Sequence, residues 1–306
     1  MRTMGHDPNR AYLIQRANMI SAIRSYFEDR QYLEVETPIR IPAPAPEAHI
    51  EAEPSGTWFL QTSPELCLKR LLAAGFERVF QICKCFRRGE RGRLHLPEMT
   101  MLEWYTAGHD YQDMMRQCEE LIIHVARSSG YGDIILYQDT SIDLTRPWAR
   151  VSVHRVFEKY GSISVEEAFQ AGSFDEMIAC EIAPNLGFEK PVFLFDYPVE
   201  LGSLARRKSD DPSLAERFEL YIAGIEICNA FSELNDPVEQ RKRFEAEIAL
   251  RESFGKISYP LPERFLAELG KLPECTGNAL GIDRLVMLLT DAAEIDDVVA
   301  FTPENL

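Results

Sequence analysis

The sequence predicts an α+β fold organised on a mostly antiparallel sheet. The stretch FQICKCFRRGERGRLHLPEMTMLEWY, from Phe80 to Tyr105, sets two strand-like runs about a basic loop and reads as a hairpin. In LARRKSDDPSLAERFELYIAGIEICNAFSELND a loop leads into two further strands turning at Ala223-Gly224. Helical periodicity, as in Leu13, Ala17, Ile20, Ile23 and Phe27, marks helices outside those hairpins.

In chain order, that first periodic segment predicts an amphipathic helix over 11–30, and YLEVETP then reads as a short strand stopped by Pro38. Segment 41–49, IPAPAPEAH, is expected to be a loop, because Pro42, Pro44 and Pro46 remove backbone donors. WFLQT is strand-like, and TSPELCLKRLLAAG follows as a helix with Ser63 as N-cap, Pro64 at its first position and Gly75 past its end. After the hairpin, Met114, Cys118, Leu121, Ile122 and Val125 predict a helix over 110–129. Segment 150–190 reads as short helices with loops, PVFLFDYP as a strand, 237–254 as a charged helix, and GNALGIDRLVMLL as a glycine-punctuated segment entering a helix. No repeat, low-complexity tract or linker divides the chain, so one domain over 11–306 is expected after an N-terminal tail, 1–10.

With 306 residues, 45% hydrophobic and 10% aromatic, the chain can bury a substantial core. Its net charge of −16 argues against an unaided electrostatic grip on nucleic acid and fits a basic partner better. No stretch has the roughly 18 uninterrupted apolar residues of a membrane span, and the first twenty residues lack a signal-peptide core, so a globular cytoplasmic protein is expected. Seven cysteines without regular spacing fit reduced, buried thiols, and Cys83 with Cys85 is a poor zinc signature.

Chemistry is suggested first by the hairpin, whose loop carries Arg87, Arg88, Arg91 and Arg93. Two-residue alternation puts Met99, Met101, Glu103 and Tyr105 on one face of its second strand, with Thr100, Leu102 and Trp104 on the other. A basic tip suits a nucleotide, yet neither GxxxxGK[ST] nor GxGxxG occurs, so any nucleotide site is of another design. Arg87 can offer a planar fork to phosphate or carboxylate, Glu219 and Glu226 flank the Ala223-Gly224 turn and could hold Mg²⁺, and Arg284 could stack on a base. Each alone reads as a surface charge; their value lies in combination.

That combination has a family likeness. FRRGERGRLHLPEMTMLEWY resembles motif two of the class II aminoacyl-tRNA synthetases, GNALGIDRLVML resembles motif three, and the helix running into LEVETP resembles motif one, the dimer interface of that family. TSPELCLKRLLAAGFERVFQI, LARR and GIEICNAFSELND are similar to the catalytic domain of lysyl-tRNA synthetases. The likeness covers nearly the whole chain with its motifs in order. It implies a class II core, a mostly antiparallel sheet of about six strands flanked by helices, in a homodimer built through the first helix and the following strand. Lysyl-tRNA synthetases read the anticodon with an N-terminal OB-fold, and only about ten residues precede the first helix here. With PEMTMLEWY and Ala279 in GNALG, this resembles the elongation factor P (R)-β-lysine ligases, paralogs that activate a lysine isomer and transfer it to a lysine side chain of elongation factor P. Anticodon-dependent tRNA binding is then not expected.

The resemblance also implies roles. Ser63, Pro64 and Glu65 belong to the substrate site, with Glu65 taking the backbone-proximal amine of lysine or (R)-β-lysine; Glu103, Tyr105 and Glu233 hold the far ammonium; Asn229, Phe231 and Ala279 line that pocket. Two acids and a phenol suit a buried ammonium, which left unpaired would cost several kcal/mol. ATP falls to Arg87, Arg88, Gly89, His95, Leu96, Met99, Glu226, Ile227, Gly281 and Arg284. Within that set Arg87 bridges substrate carboxylate and α-phosphate, His95 faces the outer phosphates, Gly281 admits close backbone approach and Arg284 covers adenine, while Glu219 and Glu226 bind Mg²⁺. Arg87 and Arg284 are the implied catalytic residues; charge placement and proximity carry adenylation without a covalent enzyme intermediate.

The chain departs from the family at several points. Arg87-Arg88-Gly89 stands for Arg-Asn-Glu with Glu90 displaced by one, Leu96 replaces an asparagine, Met99 replaces the phenylalanine that stacks on the base, and Ala230 stands where glycine is usual. Strict alternation puts Glu226 on the face opposite Asn229, Phe231 and Glu233, so the assignment requires a twist or bulge between them. Charging of tRNA or a small acceptor, and a non-catalytic regulatory role, stay open as alternatives.

Overall fold

The computed structural model describes residues 10–306. The expected tail, 1–10, therefore lies outside the described residues except for Arg10, which opens the first helix. In chain order the elements are α1 (Arg10–Glu28), β1 (Leu33–Glu34), β2 (Arg40–Ile41), β3 (Pro54–Ser55), β4 (Trp58–Leu60), α2 (Glu65–Ala73), β5 (Arg78–Phe86), β6 (Glu98–Ala107) and α3 (Tyr111–Ser128). There follow β7 (Ile134–Tyr137), β8 (Thr140–Asp143), β9 (Ala149–Ser152), α4 (Val153–Tyr160), α5 (Val165–Ala171), α6 (Phe174–Met177), β10 (Val192–Pro198), β11 (Leu214–Ile222) and β12 (Ile225–Ser232). The chain continues through α7 (Pro237–Ser253), α8 (Glu263–Leu269), β13 (Cys275–Gly281) and α9 (Ile282–Leu289).

The principal sheet has eight strands in the order β1-β5-β6-β13-β12-β11-β10-β9, two more than expected. Its six inner strands are antiparallel throughout, and the two extra strands are short parallel edges, β1 against β5 and β9 against β10. Segment GNAL is itself strand: β13 fills the centre of the sheet between β6 and β12, where glycine-rich sequence reads as punctuation. The β7–β8 hairpin and α8 carry no prediction from the sequence. Segment 150–190 supplies β9 and α4 to α6, whose Val156, Phe157 and Phe174 form a satellite core against Leu194 and Tyr197 of β10.

The two faces of the sheet have different fates. On one, Leu102 and Trp104 of β6 pack with Met19, Ile23 and Phe27 of α1 and with Met114 and Cys118 of α3. Phe27 stacks on Phe80 at 4.6 Å and lies 5.5 Å from Trp104. On the other face, α2 and α8 cover one end, packing Leu68, Leu72, Phe265 and Leu269 against Val79, Tyr105 and Cys275. The remainder is left open as a cleft. Asp283 at the start of α9 is buried, pairs with Arg16 of α1 at 2.6 Å and accepts the Thr100 N–H at 2.7 Å, tying the two helices across β6.

Local signals act as their physics dictates, with shifts at the ends. Asp110 caps α3 in a reciprocal capping box with Asp113. Ala223 and Gly224, with φ of 51° and 75°, form the tight turn whose doubly positive φ suits a two-residue hairpin. At α2 the expected cap moves by one residue: Pro64 occupies the cap position, while Ser63 accepts the Glu65 N–H at 3.0 Å. All seven cysteines are free, four of them buried. Among the described residues no helix is long and apolar enough to cross a membrane.

Candidate active site

A cavity of about 290 Å³ lies on the open face of the sheet. Strand register builds its floor in cross-strand rows: Tyr105 opposite Gly277 opposite Phe231, then Glu103 opposite Ala279 opposite Asn229, then Met101 opposite Gly281. All four β6 residues expected on one face, Met99, Met101, Glu103 and Tyr105, line it.

At the Tyr105 end the cavity is acidic and closely packed. Glu103 is 1% exposed; Ser63 Oγ donates to it at 2.5 Å and the Tyr105 hydroxyl at 3.0 Å. Burial, followed by the nearby Glu65 charge, pushes its carboxyl up to about 8. Glu65 also lines the cavity and is held by Lys69, one helical turn on at 2.5 Å. A Cβ on Gly277 would collide with the Tyr105 ring and the Glu233 carboxylate, so this strand glycine serves close approach.

At the other end the lining turns basic. Arg284 donates to Leu94 O at 3.2 Å and Glu226 O at 2.8 Å, pairs with the Glu226 carboxylate at 3.3 Å, and lies 2.6 Å from His95 Nε2. Burial and then this guanidinium lower the His95 pKa, favouring a neutral ring. Arg87 lines the same cavity; among the described residues its Nε has no hydrogen-bond partner and its guanidinium lies 3.9 Å from the Glu90 carboxylate. Leu96, Met99, Ile227 and Gly281 complete this wall.

The bulge that the sequence requires is present. Tyr221 pairs with Glu226 and Leu220 with Cys228, so Ile227 is the extra residue of β12, and Glu226 reaches the cavity together with Asn229 and Phe231.

Five expected residues are not part of the lining. Arg88 and Gly89 are exposed at the hairpin tip, and Pro64 is buried at the α2 cap. Glu219 lies on β11 beside Asn229, where Arg217 and Tyr221 donate to it at 2.6 and 2.7 Å. Glu233, expected at the far ammonium, is buried and ion-paired to Lys69, an ammonium belonging to the protein itself. Nor do all the hairpin arginines turn inward. Arg91 pairs with Asp296 at 2.7 Å and Glu304 at 2.9 Å, and Arg93 donates to Ala293 O, so both anchor the loop to the C-terminal segment.

Residues that the sequence does not single out include Lys69, Arg217, Gly277 and Glu47. For Lys69 the signal was a Glu65-to-Lys69 spacing of one helical turn. For Arg217 it was alternation with Glu219 and Tyr221 on one strand face; its guanidinium also donates to Asn229 Oδ1 at 3.2 Å, which leaves the Asn229 amide nitrogen for the cavity.

An antiparallel six-strand core with a basic hairpin and an acid-walled cleft is the architecture of a synthetase of the second class. The chain belongs to the family of class II tRNA synthetases (D, K and N), which it matches over residues 2–305. It is 37% identical to the elongation factor P–(R)-β-lysine ligase of Pectobacterium atrosepticum, over 96% of this chain and 96% of that protein. It is also 38% identical to the lysine–tRNA ligase of Moorella thermoacetica over 94% of this chain, and 40% identical to that of Nostoc over 94%. Of those two proteins it spans only 64% and 56% of the length.

Proposed function

We propose that this chain activates (R)-β-lysine or lysine with ATP as an aminoacyl-adenylate, and transfers the aminoacyl group to a lysine side chain of elongation factor P. The observation that carries this reading is Glu103, buried and held by Ser63 and Tyr105, at the acidic end of a cavity whose other end presents Arg87 and Arg284. A substrate with two ammonium groups and one carboxylate fits such a polarity. End-to-end similarity to an elongation factor P ligase supports the acceptor.

In the activation step a substrate carboxylate oxygen displaces pyrophosphate from the α-phosphorus of ATP. Arg87, whose guanidinium lines the cavity, suits the charge that shifts between carboxylate and phosphate. Neutral His95 and Arg284 donate to phosphate oxygens or the base. Asn229, oriented by Arg217, offers an amide N–H₂ to the substrate. Met99 gives a thioether where a planar ring is usual, a softer surface for adenine.

Mg²⁺ is assigned to the Glu219 and Glu226 pair on the mutual repulsion of two neighbouring carboxylates. Glu219 would exchange its contacts with Arg217 and Tyr221, and Glu226 its pairing with Arg284, for the ion. Burial pushes the Glu219 carboxyl up, Arg217 opposes this and the Glu226 charge adds to it. Among the described residues no three or more His, Cys, Asp or Glu side chains cluster to hold a metal, so phosphate oxygens would complete the coordination. When bound, the ion neutralises charge on the phosphates.

Exposed Ile14, Leu33 and Ile39, on or beside α1 and β1, support a homodimer through that surface. Charging of tRNA is the second reading, favoured by identities to lysine–tRNA ligases as high as that to the elongation factor P ligase. ATP–pyrophosphate exchange tests the activation step. Exchange stimulated by lysine isomers and not by leucine is expected; no exchange with any diamino acid would remove the reading.

A further inference from the structure

Six carboxylates line the cavity, and five are engaged. Glu65 is paired with Lys69, Glu103 accepts from Ser63 and Tyr105, Glu226 is paired with Arg284, Asp283 with Arg16, and Glu90 lies 3.9 Å from Arg87. Among the described residues the sixth, Glu47, has neither a side-chain hydrogen bond nor an ion pair. It enters the cavity from the proline-rich loop after β2 and is only partly exposed.

That loop is held in place rather than left free. Arg251 of α7, fully buried, donates to the carbonyls of Glu47 and Ile50, both at 2.7 Å, pairs with Glu51 at 2.9 Å and lies over the Tyr259 ring at 3.9 Å. Glu247 accepts the Ala48 N–H at 2.7 Å, and Lys256 donates to Ala48 O at 2.8 Å. Side chains from one helix and its following turn therefore fix the backbone about Glu47, while its carboxylate has no partner among the described residues.

We propose that Glu47 is the general base of the transfer step, taking a proton from the incoming acceptor ammonium beside the activated carboxyl group at Arg87. The inference rests on the proposed acceptor being a lysine side chain. A lysine acceptor has an ordinary pKa of about 10.4 and is almost wholly protonated at pH 7, so its nitrogen has no free lone pair. One proton passes from the ammonium to the Glu47 carboxylate. The neutral nitrogen then attacks the acyl carbon of the aminoacyl-adenylate, the C–N bond forms, and the C–O bond to phosphate breaks as AMP leaves. The second nitrogen proton is lost to solvent as the amide forms.

The groups facing Glu47 suit this task. Burial raises its carboxyl to about 7, Arg87 acts to lower it, Glu65 and Glu247 raise it, and Arg217 lowers it. A base is most effective when it is poised near the working pH.

The test uses the full chain with elongation factor P as acceptor. In single-turnover transfer from preformed adenylate at pH 7, Glu47→Gln is expected to slow transfer by about 100-fold, the lower end for a general base, while ATP–pyrophosphate exchange falls far less. The gap should narrow as pH rises and the acceptor amine deprotonates unaided. Hydroxylamine, whose nitrogen is already neutral at pH 7, should trap adenylate from wild type and variant at similar rates. Equal losses in exchange and transfer, an equal loss with hydroxylamine, or undiminished transfer to elongation factor P would each overturn the assignment. Wild-type protein that exchanges pyrophosphate but leaves elongation factor P unmodified would instead refute the acceptor, and with it the step given to Glu47.

Discussion

The Lys69 ammonium is ion-paired with the Glu233 carboxylate, and both side chains are sealed from solvent beneath the cavity. Burial acts to lower the Lys69 pKa, but Glu233 and Glu65 together raise it, so the lysine stays charged. The chain thus carries an internal ammonium between Glu65 and Glu233. Lys69→Met would leave a buried, unpaired carboxylate, for which about 3–5 kcal/mol of lost stability is expected. In urea denaturation the double variant Lys69→Met with Glu233→Gln should recover part of that loss. Losses that simply add would show the pair to be uncoupled.

Gly277→Ala places a methyl group against the Tyr105 ring. The ring must move off the sheet, displacing its hydroxyl from Glu103, 3.0 Å away. Overpacking of this kind costs about 1–3 kcal/mol. In exchange assays the KM for the amino acid should rise, with the KM for ATP little changed. Unaltered amino-acid KM would mean that Tyr105 is not part of the pocket.

The Glu103 carboxyl is pushed up to about 8 from its ordinary 4.5, so in the empty cavity it is mostly protonated at pH 7. An ammonium ligand favours the ionised form, so binding releases a proton and affinity for lysine rises with pH until the carboxyl is ionised. Calorimetry in buffers of different ionisation enthalpy should detect that proton at pH 7, and Glu103→Gln should abolish it. The effect on folding has the opposite slope. Between about pH 4.5 and 8 the folded state holds a proton that the unfolded state has lost, so this group's contribution to stability declines as pH rises through that window.

Glu226 lies within 3.3 Å of Arg284 and next to the bulged Ile227. If it helps hold Mg²⁺, Glu226→Gln should raise the Mg²⁺ concentration for half-maximal exchange by at least about tenfold, a typical loss for a residue supporting a metal. An unchanged Mg²⁺ requirement would assign Glu226 to Arg284 alone.

Local periodicity made much of this molecule legible. The cavity face of β6 could be read because a two-residue period placed Glu103 among Met99, Met101 and Tyr105. The bulge at Ile227 could be read from a conflict, since alternation alone kept Glu226 and Asn229 apart. What escaped depends on contacts distant in sequence. β13 was hidden because Gly277 and Gly281 weaken strand propensity, and the reason for Gly277 lies in Tyr105 on a neighbouring strand. The ion pair of Glu233 with Lys69 escaped because nothing in the residues that end β12 announces a contact from α2. Arg91 was read with the other hairpin arginines, although its partners Asp296 and Glu304 lie some two hundred residues away in the chain.

Intact-mass analysis of elongation factor P, after incubation with the chain, ATP, Mg²⁺ and each lysine isomer, tests the central claim most directly. One added lysyl residue on the acceptor, dependent on ATP and lost in Arg87→Ala, is the expected result. An unchanged acceptor mass, with tRNA charged instead in a parallel reaction, would contradict it.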